Sequence, residues 1–538
     1  MLEKIDGEII GEEIPHRVAG NLPVMTATCH YFWCGVWLMA GAVLFAAPGA
    51  GVPVPPIESN GWSRLPKSAE VDRFLGELAA GSEKARLVRI GRSAGDRPLH
   101  ALLISRRRDF RATGMFSPER LVVLLIGGQH GTEPSGAEAL QRAAVELIAG
   151  RLSHHLERMD FVLAVNANPD GRDLGRRVNA AGVNLSTDFA VVSQPETRAL
   201  LGCMRRYAPH ILLDLHESAV LKKRSLGAQG YLTDHEAQFE VSNNPDIHPA
   251  LLGLGRETLL PAMIAAVNAR GLRCRHYVGE ITDINQPVTH GGLSIRNIRN
   301  YAGMRGTLGV LVENRLDPPG DWPTERNLKV RVAKQGLCLL AFLEACEAAR
   351  PQILAATEAA RRGGREDIRE QGLALAPAYA GDPARPHITL PMRRRDSGEP
   401  VERSFVYRPR IVVGPRQVPP CTYFIRGHHE RFARVLDRHG IPFSRLEHST
   451  KVESIRQRVS KLTQITKPGG MTSSVIEVTE SEAEVTLSAG DLRIDPLGLG
   501  ARLAPLLLDP RSSSSVFGAA EFRALLSEGE DLFIVRSR

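Results

Sequence analysis

The stretch LVVLLIGGQHGTEPSG, residues 121–136, joins an apolar run to a glycine-rich segment that carries a histidine and a glutamate. LVVLLI contains no polar residue, which is typical of a strand buried on both faces of a sheet. Three similar runs follow along the chain: FVLAV (161–165), ILLDL (211–215) and GVLV (309–312). Helical stretches such as Glu138–Ala149 and Pro195–Tyr207 lie between them. The alternation predicts an α/β fold with a mixed, largely parallel sheet flanked by helices.

The residues around this core extend the same pattern. Glu70–Leu78 has helical periodicity, and the apolar segments Ala85–Ile90 and Leu99–Ser105 predict two strands joined by a glycine-rich turn. Asn327–Ala360 predicts one long helix that closes the domain. We therefore expect residues 1–58 to be a leader and linker, and residues 59–364 to form the main domain.

The amino-acid composition of the chain changes near residue 365. Proline and arginine become frequent from Leu375 to Pro420, and the alternating segment SVIEVTESEAEVTL (474–487) predicts short antiparallel strands. We expect residues 365–538 to form a smaller, β-containing accessory domain or C-terminal extension.

Composition and charge exclude one class of partner. The chain has a formal net charge of +8, but no basic run is interleaved with aromatic residues, and aromatic content is only 5%. The charge is therefore interpreted as a solvated surface, and no nucleic acid is expected as a partner. The sequence gives no prediction of the oligomeric state.

The N-terminal region contains one uncharged apolar run, Tyr31–Ala47. It is shorter than the roughly 20 residues that span a bilayer, and the small, proline-rich stretch APGAGVPVPP follows it. This layout predicts a signal peptide and a periplasmic or secreted protein, with an uncleaved membrane anchor as the alternative. Five cysteines remain beyond this segment without a CxxC pair, which leaves one or two disulfides, or buried thiols, open.

Acidic and imidazole side chains follow three of the predicted strands. His130 and Glu133 come after LVVLLI, His216 comes directly after ILLDL, and Glu313 comes directly after GVLV. Functional groups gather at the carboxyl ends of strands in open α/β sheets. Histidine and carboxylate ligands suit zinc, and a hydrolytic zinc site keeps three protein ligands and one open position. The glycines and Pro134 predict a loop, not a helix, through the HxxE spacing.

These segments resemble the zinc carboxypeptidases of the M14 type over roughly Trp62 to Glu347. The similar segments are GGQHGTEPSG (127–136), ANPDGRD (167–173), LLDLHES (212–218) and LGVLVENR (308–315). VRIGRSAGDRPLHALLIS (88–105) looks like bacterial members in particular. The resemblance implies one zinc ion per chain on His130, Glu133 and His216, with Glu313 as the general base. It makes residues 59–364 a zinc peptidase catalytic domain.

The resemblance also implies residues that contact the substrate. By its place in RRVNAAGVNLSTDF (176–189), Arg177 is the arginine expected to stabilise the oxyanion, with Arg176 and Arg172 as neighbours that could substitute. Tyr301 is the candidate for the tyrosine that the family places on a loop before its catalytic glutamate.

The chain departs from the family at Ser186-Thr187, where members usually carry an Asn-Arg pair that holds the substrate's free carboxylate. Ser186 and Thr187 are expected to line the substrate site, and the carboxylate contact could come from another arginine: Arg296, Arg299 or Arg305. Asn184 replaces an acidic residue of the family and could accept a ring N–H from a zinc-bound histidine.

Three functions remain open on this sequence. The first is a metallocarboxypeptidase, and the second is a zinc amidase or deacylase that acts on murein peptides or N-acyl amino acids. The third is an inactive zinc-binding module that recognises peptides, an alternative that the Ser186-Thr187 departure raises. Two other motifs receive structural interpretations: GRSAG (91–95) as a hairpin turn and His428-His429-Glu430 as a helix start.

Overall fold

Eight strands of the computed structural model form one mixed sheet. In chain order they are β1 Ala85–Arg92, β2 Pro98–Ile104, β3 Leu121–Gly127, β4 Met159–Ala164, β5 Ile211–Ala219, β7 Ala237–Val241, β8 Cys274–His276 and β9 Leu308–Leu316. The spatial order is β1-β2-β4-β3-β5-β9-β7-β8. β3, β4, β5 and β9 run parallel. β1 pairs antiparallel with β2, β2 with β4 and β7 with β9, while β8 pairs parallel with β7. The predicted fold class is confirmed.

The structure describes residues 51–107, 117, 119–317, 328–362, 365–466, 472–496 and 500–537. The predicted signal segment Tyr31–Ala47 lies outside these residues. The described residues belong to one compact unit. None of their five cysteines forms a disulfide in this structure.

Helices cover both faces of the sheet. They are α1 Pro56–Ser59, α2 Ser68–Ala80, α3 Ser135–Ala149, α4 Pro169–Leu174, α5 Pro195–Tyr207, α6 Pro249–Gly253, α7 Leu260–Ala269, α8 Ile298–Met304, α9 Leu328–Ala348, α10 Arg350–Arg362 and α11 Arg365–Gln371. Short 3₁₀ segments span Arg151–Glu157 and Leu185–Thr187, and a π-helical turn spans Leu254–Leu259.

The prediction of one helix over Asn327–Ala360 was wrong. α9 ends at Ala348 and α10 begins at Arg350, with Ala349 between them. Pro351 occupies the second position of α10, where its missing N–H is harmless, but its ring clashes with the preceding turn of a continuous helix. The proline therefore fixes the break.

The C-terminal region adds smaller sheets. Its strands are β10 Ala378–Ala380, β11 His387–Arg394, β12 Pro400–Val406, β13 Arg410–Val412, β14 Thr422–Ile425, β15 Ser444–Arg445, β16 Thr450–Thr466, β17 Thr472–Leu487, β18 Leu492–Ile494 and β19 Ile534–Ser537. Three helices accompany them: α12 His429–His439, α13 Gly500–Leu508 and α14 Ala520–Arg523. The alternating segment near residue 480 lies in one 16-residue strand, β17, so short strands were the wrong expectation there.

The C-terminal region packs directly on the main domain. β11 pairs with the short strand β6, Tyr231–Thr233. A shared apolar cluster unites Val278 and Val288 of the main domain with Met392 and Phe405 of the later region. The predicted boundary near residue 365 stays a prediction, and these contacts show that the two sides of it share buried surface.

One continuous helical stretch, Pro249–Ala269, has the length and mean hydropathy of a membrane span, and a third of its most apolar window is buried. Core helices of globular proteins meet the same criterion. α7, the second half of this stretch, packs on α9, β7 and β8, and its Leu260, Met263 and Val267 are buried.

Candidate metal centre

The parallel strands β3, β5 and β9 bring the predicted site residues to one edge of the sheet. β3 ends beside Leu215 of β5. His216 lies directly opposite Glu313 in the pairing of β5 with β9. The loop that carries His130 and Glu133 leaves β3 at the same edge, so all four side chains meet there.

The segment between β3 and α3 is a loop, as its glycines and proline predict. Gly128 has a φ of +70°, a left-handed conformation that glycine adopts at low cost. Gly131 lies so close to the backbone of Gly171 and Arg172 that a Cβ there would overlap them. α3 begins only at Ser135. The loop geometry, and not a helix face, therefore aims the HxxE side chains.

Three donor groups face one another at nearly equal distances. His216 Nδ1 lies 3.2 Å from His130 Nδ1 and 3.0 Å from Glu133 Oε2. His130 Nδ1 lies 3.0 Å from Glu133 Oε1. All three residues are almost fully buried. The strand ends thus create a compact set of two imidazoles and one carboxylate, the ligand set that the sequence predicts.

The outer nitrogens of both imidazoles are held by oxygen acceptors. Asp214 Oδ2 lies 2.9 Å from His216 Nε2, and Asn184 Oδ1 lies 2.9 Å from His130 Nε2. The backbone N–H of Ser186 donates to the same Asn184 oxygen, which identifies it as the acceptor end of the amide. Each Nε2 therefore carries the hydrogen, and each Nδ1 directs a lone pair into the cluster.

This arrangement fits a divalent cation. Two Nδ1 lone pairs and a negatively charged carboxylate point at one another with no hydrogen between them, so they repel one another. A bound cation would relieve this repulsion. Tetrahedral zinc with bonds of about 2.0–2.1 Å separates its ligand atoms by about 3.3 Å. The observed separations of 3.0–3.2 Å need only a small expansion to reach that value.

The charges in the cluster compensate one another in the absence of an ion. Burial raises the pKa of the Glu133 carboxyl, but His130 and His216 outweigh it and hold that pKa well below its usual value. Burial lowers the pKa of His130. Burial opposes the charged form of His216 as well, yet Asp214 and Glu133 raise its pKa well above its usual value. The carboxylate of Glu133 and the two imidazoles therefore stabilise one another's charged forms.

Glu313 lies beside this cluster, opposite His216 in the pairing of β5 with β9. Burial raises the pKa of its carboxyl to about 8; the positive charges of His216 and Arg177 lower this pKa by smaller amounts, and the negative charge of Glu133 raises it further. Its Oε2 is buried and has no hydrogen-bond partner among the described residues. A carboxylate that is free of structural contacts and has a pKa near neutrality is suited to accept and return a proton.

Arg177 lies at the open side of the cluster. Its Nη1 contacts Glu133 Oε1, and about half of its side chain is exposed. An exposed guanidinium at this place can stabilise negative charge that develops on a bound substrate. Arg176 is exposed, and the structure shows no hydrogen bond from its side chain to the cluster residues described here. Arg172 is buried, donates to the Pro66 carbonyl and contacts Glu138, so it cannot replace Arg177.

Comparison with known proteins agrees with this donor set. A family profile described as zinc carboxypeptidase matches residues 71–241, a span that contains His130, Glu133 and His216. The chain carries a zinc carboxypeptidase domain. Glu313 lies beyond the matched span of that domain.

The zinc carboxypeptidase domain has named relatives. The probable carboxypeptidase 2 of Trichophyton verrucosum is 28% identical over 204 residues, which cover 37% of this chain and 39% of that protein. Carboxypeptidase E of Caenorhabditis elegans is 30% identical over 147 residues, 24% of this chain and 30% of that protein. The chain thus matches about two-fifths or less of the length of these relatives.

Solved structures are similar over about half of the chain. A metallo-carboxypeptidase from Burkholderia cenocepacia is 19% identical, with a TM-score of 0.40 and coverage of 53% of this chain and 70% of that one. A metallo-carboxypeptidase from Pseudomonas aeruginosa, in complex with (2-guanidinoethylmercapto)succinic acid, is 21% identical, with a TM-score of 0.39 and coverage of 54% and 70%.

Ser186 and Thr187 lie next to His130 of the metal centre and hold the loop that contains Asn184. Ser186 Oγ lies 3.0 Å from His130 Nε2 and 2.9 Å from Asn184 Oδ1. Thr187 Oγ1 donates to the Asn184 carbonyl. The substrate-binding role that the sequence assigned to this pair stays a prediction, because both hydroxyls are engaged in holding the loop and the histidine.

Tyr301 lies in the core of the domain. It is fully buried, and its hydroxyl bonds His439 Nδ1 of α12 at 2.9 Å. Its ring lies 6.1 Å from that of Phe189. No contact between Tyr301 and the metal-centre cluster is found in the part of the chain that the structure describes. The proposed substrate contact is therefore not supported by its position.

Of the three arginines considered for the substrate carboxylate, Arg296 lies beside Ser186-Thr187. Its Nε donates to the Thr187 carbonyl at 3.4 Å, and its own carbonyl accepts from the Phe189 N–H. Arg299 is buried and donates to Asn243 and Gly292.

Arg305, the third of these arginines, donates to the His439 carbonyl of α12. Arg299 and Arg305 therefore hold structural contacts away from the site, and Arg296 alone of the three is near it.

The sequence did not reveal the roles of two supporting residues, Gln129 and Glu217. Gln129 Nε2 donates to both oxygens of Asp214 at 2.7 Å and so fixes the carboxylate that orients His216. Glu217 accepts from the Ser135 N–H and from Arg331 and acts as a structural acid. The position of Asp214 beside His216 could be predicted from the sequence, because residues two apart on a strand lie on the same face of the sheet. Gln129 carries no such signal.

A second group of potential ligands consists of Glu240 of β7, His276 of β8 and His290 from the segment that follows β8. The two imidazole rings are stacked, with centroids 3.8 Å apart. His290 already donates Nδ1–H to the Tyr277 carbonyl and accepts at Nε2 from the Tyr407 hydroxyl. Stacked rings whose nitrogens are engaged cannot direct two lone pairs at one ion without rearrangement, so this group is a poor chelate.

Proposed function

We propose that the protein is a zinc-dependent metallocarboxypeptidase that binds one zinc ion on His130, Glu133 and His216. The observation that carries the proposal is the mutual approach of three donor groups at 3.0–3.2 Å, with both imidazoles oriented by outer acceptors. The poor geometry of the second ligand group supports a single ion. Zinc bound at this site would polarise a water molecule and the substrate carbonyl.

Glu313 supplies the proton transfers of this reaction. Its unpartnered carboxylate lies beside His216, where it can take a proton from the attacking water and pass it to the leaving amine nitrogen. The peptide C–N bond breaks as that nitrogen gains the proton. Arg177 remains at the open side of the cluster, where its guanidinium stabilises the oxygen that becomes negative.

Arg296 is our candidate for the contact with the substrate's terminal carboxylate. Neither Ser186 nor Thr187 carries a charge, and both hydroxyls are used inside the protein. Arg296 comes from a different segment and reaches the same place, with its Nε on the Thr187 carbonyl. Its remaining N–H groups can form the bidentate pair that carboxylates favour.

A second candidate function is that of a zinc amidase or deacylase that acts on murein peptides or N-acyl amino acids and does not require an arginine contact to the substrate's carboxylate. The observation that favours it is that this position of the loop carries Ser186 and Thr187 instead of an arginine. Both of their hydroxyls bind other groups of the protein. An inactive peptide-recognition module is less consistent with Glu313, since its Oε2 is buried without a hydrogen-bond partner among the described residues, which is costly and has no structural role here.

A peptide panel separates these functions. We expect the zinc-loaded protein to release C-terminal residues from free peptides and to leave C-terminally amidated peptides uncut. Arg296→Gln should raise KM for free peptides about tenfold or more, because it removes a charged contact to the carboxylate. Arg73→Gln, an exposed arginine on α2, is the matched control.

Two other results would contradict parts of the proposal. Cleavage of N-acyl amino acids with no release from peptides favours the amidase. Bound zinc and bound peptide with no turnover in the unaltered protein favours the inactive module. In both cases the proposal of a zinc site on His130, Glu133 and His216 is unaffected, because the metal content of the protein tests it separately.

We also propose that the protein is exported through the segment Tyr31–Ala47. The support is the uncharged run followed by small residues and prolines. Expression of the full chain and sequencing of the mature N-terminus tests this proposal. A new N-terminus after Ala47 or Ala50 in the periplasm or medium supports it, and an intact, membrane-bound chain supports the anchor instead.

A further inference from the structure

A cavity of about 480 Å³ lies where the C-terminal region meets the edge of the main sheet. Its floor includes Glu240 of β7 and His276 of β8, and its outer wall includes residues between β10 and β13. A volume of this size is within the range of small-molecule sites. Neither side alone encloses it, so the C-terminal region completes the cavity.

Three arginines from separate segments line this cavity on its exposed side, which we call its mouth. Arg256 belongs to the π-helical turn, Arg385 precedes β11 and Arg410 begins β13. All three are exposed. Within the described part of the chain, none of their guanidinium groups forms an ion pair, although Arg385 lies over the Tyr407 ring at 5.3 Å.

The lining acids do not neutralise these arginines. Asp382 is the single carboxylate at the mouth among the described lining residues, and its Oδ1 accepts from the Ala384 N–H. Glu240, on the floor, accepts from the Gly291 N–H and from His276, and Arg299 beside it offsets its negative charge. The mouth therefore keeps an excess of positive charge, which attracts anions.

The floor offers a second kind of contact. His276 donates its Nε2–H to Glu240 at 3.0 Å, so its Nδ1 keeps a lone pair. No partner of that Nδ1 is found among the residues that the structure describes, and about a third of the side chain is exposed. A ligand with an anionic group at the mouth can therefore place a hydrogen-bond donor against His276.

We propose that this cavity binds an oxyanion, a carboxylate or a phosphate, through Arg256, Arg385 and Arg410. Arginine forks bind both groups in a bidentate manner, and three arginines without a described ion pair line this one cavity. The proposal assigns residues 378–412 a function in ligand binding that is separate from the metal centre. It does not rest on the proposed carboxypeptidase activity.

Two sources of the oxyanion are consistent with the sheet register. Gln238 of β7 lies opposite Glu313, and Glu240 lies opposite Leu311, so the cavity floor is about two residues, or ~7 Å, from Glu313 along the strand. The oxyanion can belong to a separate small ligand or to an acidic side chain of the substrate. The experiment has one arm for each source.

Isothermal titration calorimetry of the full zinc-loaded chain with inorganic phosphate and with succinate forms the first arm. We expect one site with a Kd of the order of 1 mM or tighter that weakens as salt is added. Arg256→Gln and Arg410→Gln should each weaken binding about tenfold. Arg89→Gln, an exposed arginine on β1 outside the cavity, should not. Because all three positions are exposed, we expect the variants to fold, which circular dichroism checks.

Peptide hydrolysis forms the second arm. If the oxyanion comes from the substrate, Arg410→Gln raises KM for a peptide that ends in glutamate and leaves KM for one that ends in leucine unchanged. If it comes from a separate ligand, neither KM changes while succinate or phosphate binding is lost. Both outcomes support an oxyanion site and assign its source.

The proposal is overturned if neither probe binds the unaltered chain below about 10 mM and Arg410→Gln leaves both KM values unchanged. Equal binding by Arg256→Gln, Arg410→Gln and Arg89→Gln overturns it too, since the anion would then lie elsewhere. If no peptide is cleaved at all, the proposed activity fails, while calorimetry still decides on the cavity.

Discussion

At the residue scale, the outer nitrogens of the two histidines orient the metal centre. Gln129 fixes Asp214, and Asp214 holds His216 Nε2, so a chain of hydrogen bonds connects the interior to one ligand atom. His130 is held by the uncharged Asn184 and by Ser186. The two ligands therefore differ in basicity, with the carboxylate-bound imidazole the stronger donor.

Asp214→Asn tests this orientation. The amide keeps the volume but removes the charge, and we expect zinc affinity to fall about 10- to 100-fold, measured by competition with a chromophoric chelator. Asp72→Asn is the matched control, because Asp72 holds His100 Nδ1 at 3.0 Å outside the site. Unchanged affinity in Asp214→Asn would mean that the Asp214–His216 contact does not tune the site.

The metal-site residues could be selected from sequence because each follows an apolar strand. The roles of their neighbours could not, because they depend on side-chain direction. Ser186 points at His130 instead of the cleft, and Tyr301 points at His439. Both residues occupy plausible positions along the chain, and only packing decides which way they face.

At the element scale, the loop from Gly127 to Pro134 is the feature that places two of the three ligands. It passes so close to the backbone of α4 at Gly171 that only a residue without a side chain fits at Gly131. The strand-to-loop junction was predictable from composition, but this close approach between distant segments was not.

Gly131→Ala should therefore lower both stability and zinc content. The added methyl overlaps backbone atoms that cannot move aside cheaply, so we expect a loss of about 2 kcal/mol or more in the free energy of unfolding. Gly76→Ala in α2 is the matched control, since its Cβ meets nothing within 4 Å and alanine favours a helix by about 0.5–1 kcal/mol. Equal urea midpoints for the two variants would contradict the steric account.

The strands and most helices of the main domain agree with the sequence to within a few residues because their apolar periodicity is long and regular. The C-terminal region agrees less well. β16 and β17 form a ribbon of 17 and 16 residues, whose length depends on mutual pairing that neither segment shows alone.

At the scale of the whole molecule, a set of buried neutral histidines spreads through the fold. Burial lowers the pKa of each to about 3 or 4; they are His155, His210, His235, His290 and His439. His439, for example, bonds Tyr301 and the Ala190 carbonyl and connects α12 to the main domain. Protonation of such groups favours the unfolded chain.

Stability should fall as pH drops from about 6.5 towards 4, because unfolded histidines bind protons in this range and the buried ones do not. Asp246 opposes this trend: burial raises its pKa to about 6, so its contribution is lost as pH rises through that value. Urea midpoints at pH 7 and pH 5, both in a chelator so that metal binding is constant, measure the net effect. A higher midpoint at pH 5 would contradict the dominance of the histidines.

The zinc content of the purified full chain tests the account most directly. Elemental analysis should find about one zinc per chain, much less in His130→Ala and His216→Ala, and an unchanged amount in Glu313→Gln, which should lose at least about 10²-fold in kcat. Absence of zinc in the unaltered chain would contradict this prediction. A zinc content in His130→Ala and His216→Ala equal to that of the unaltered chain would contradict it as well.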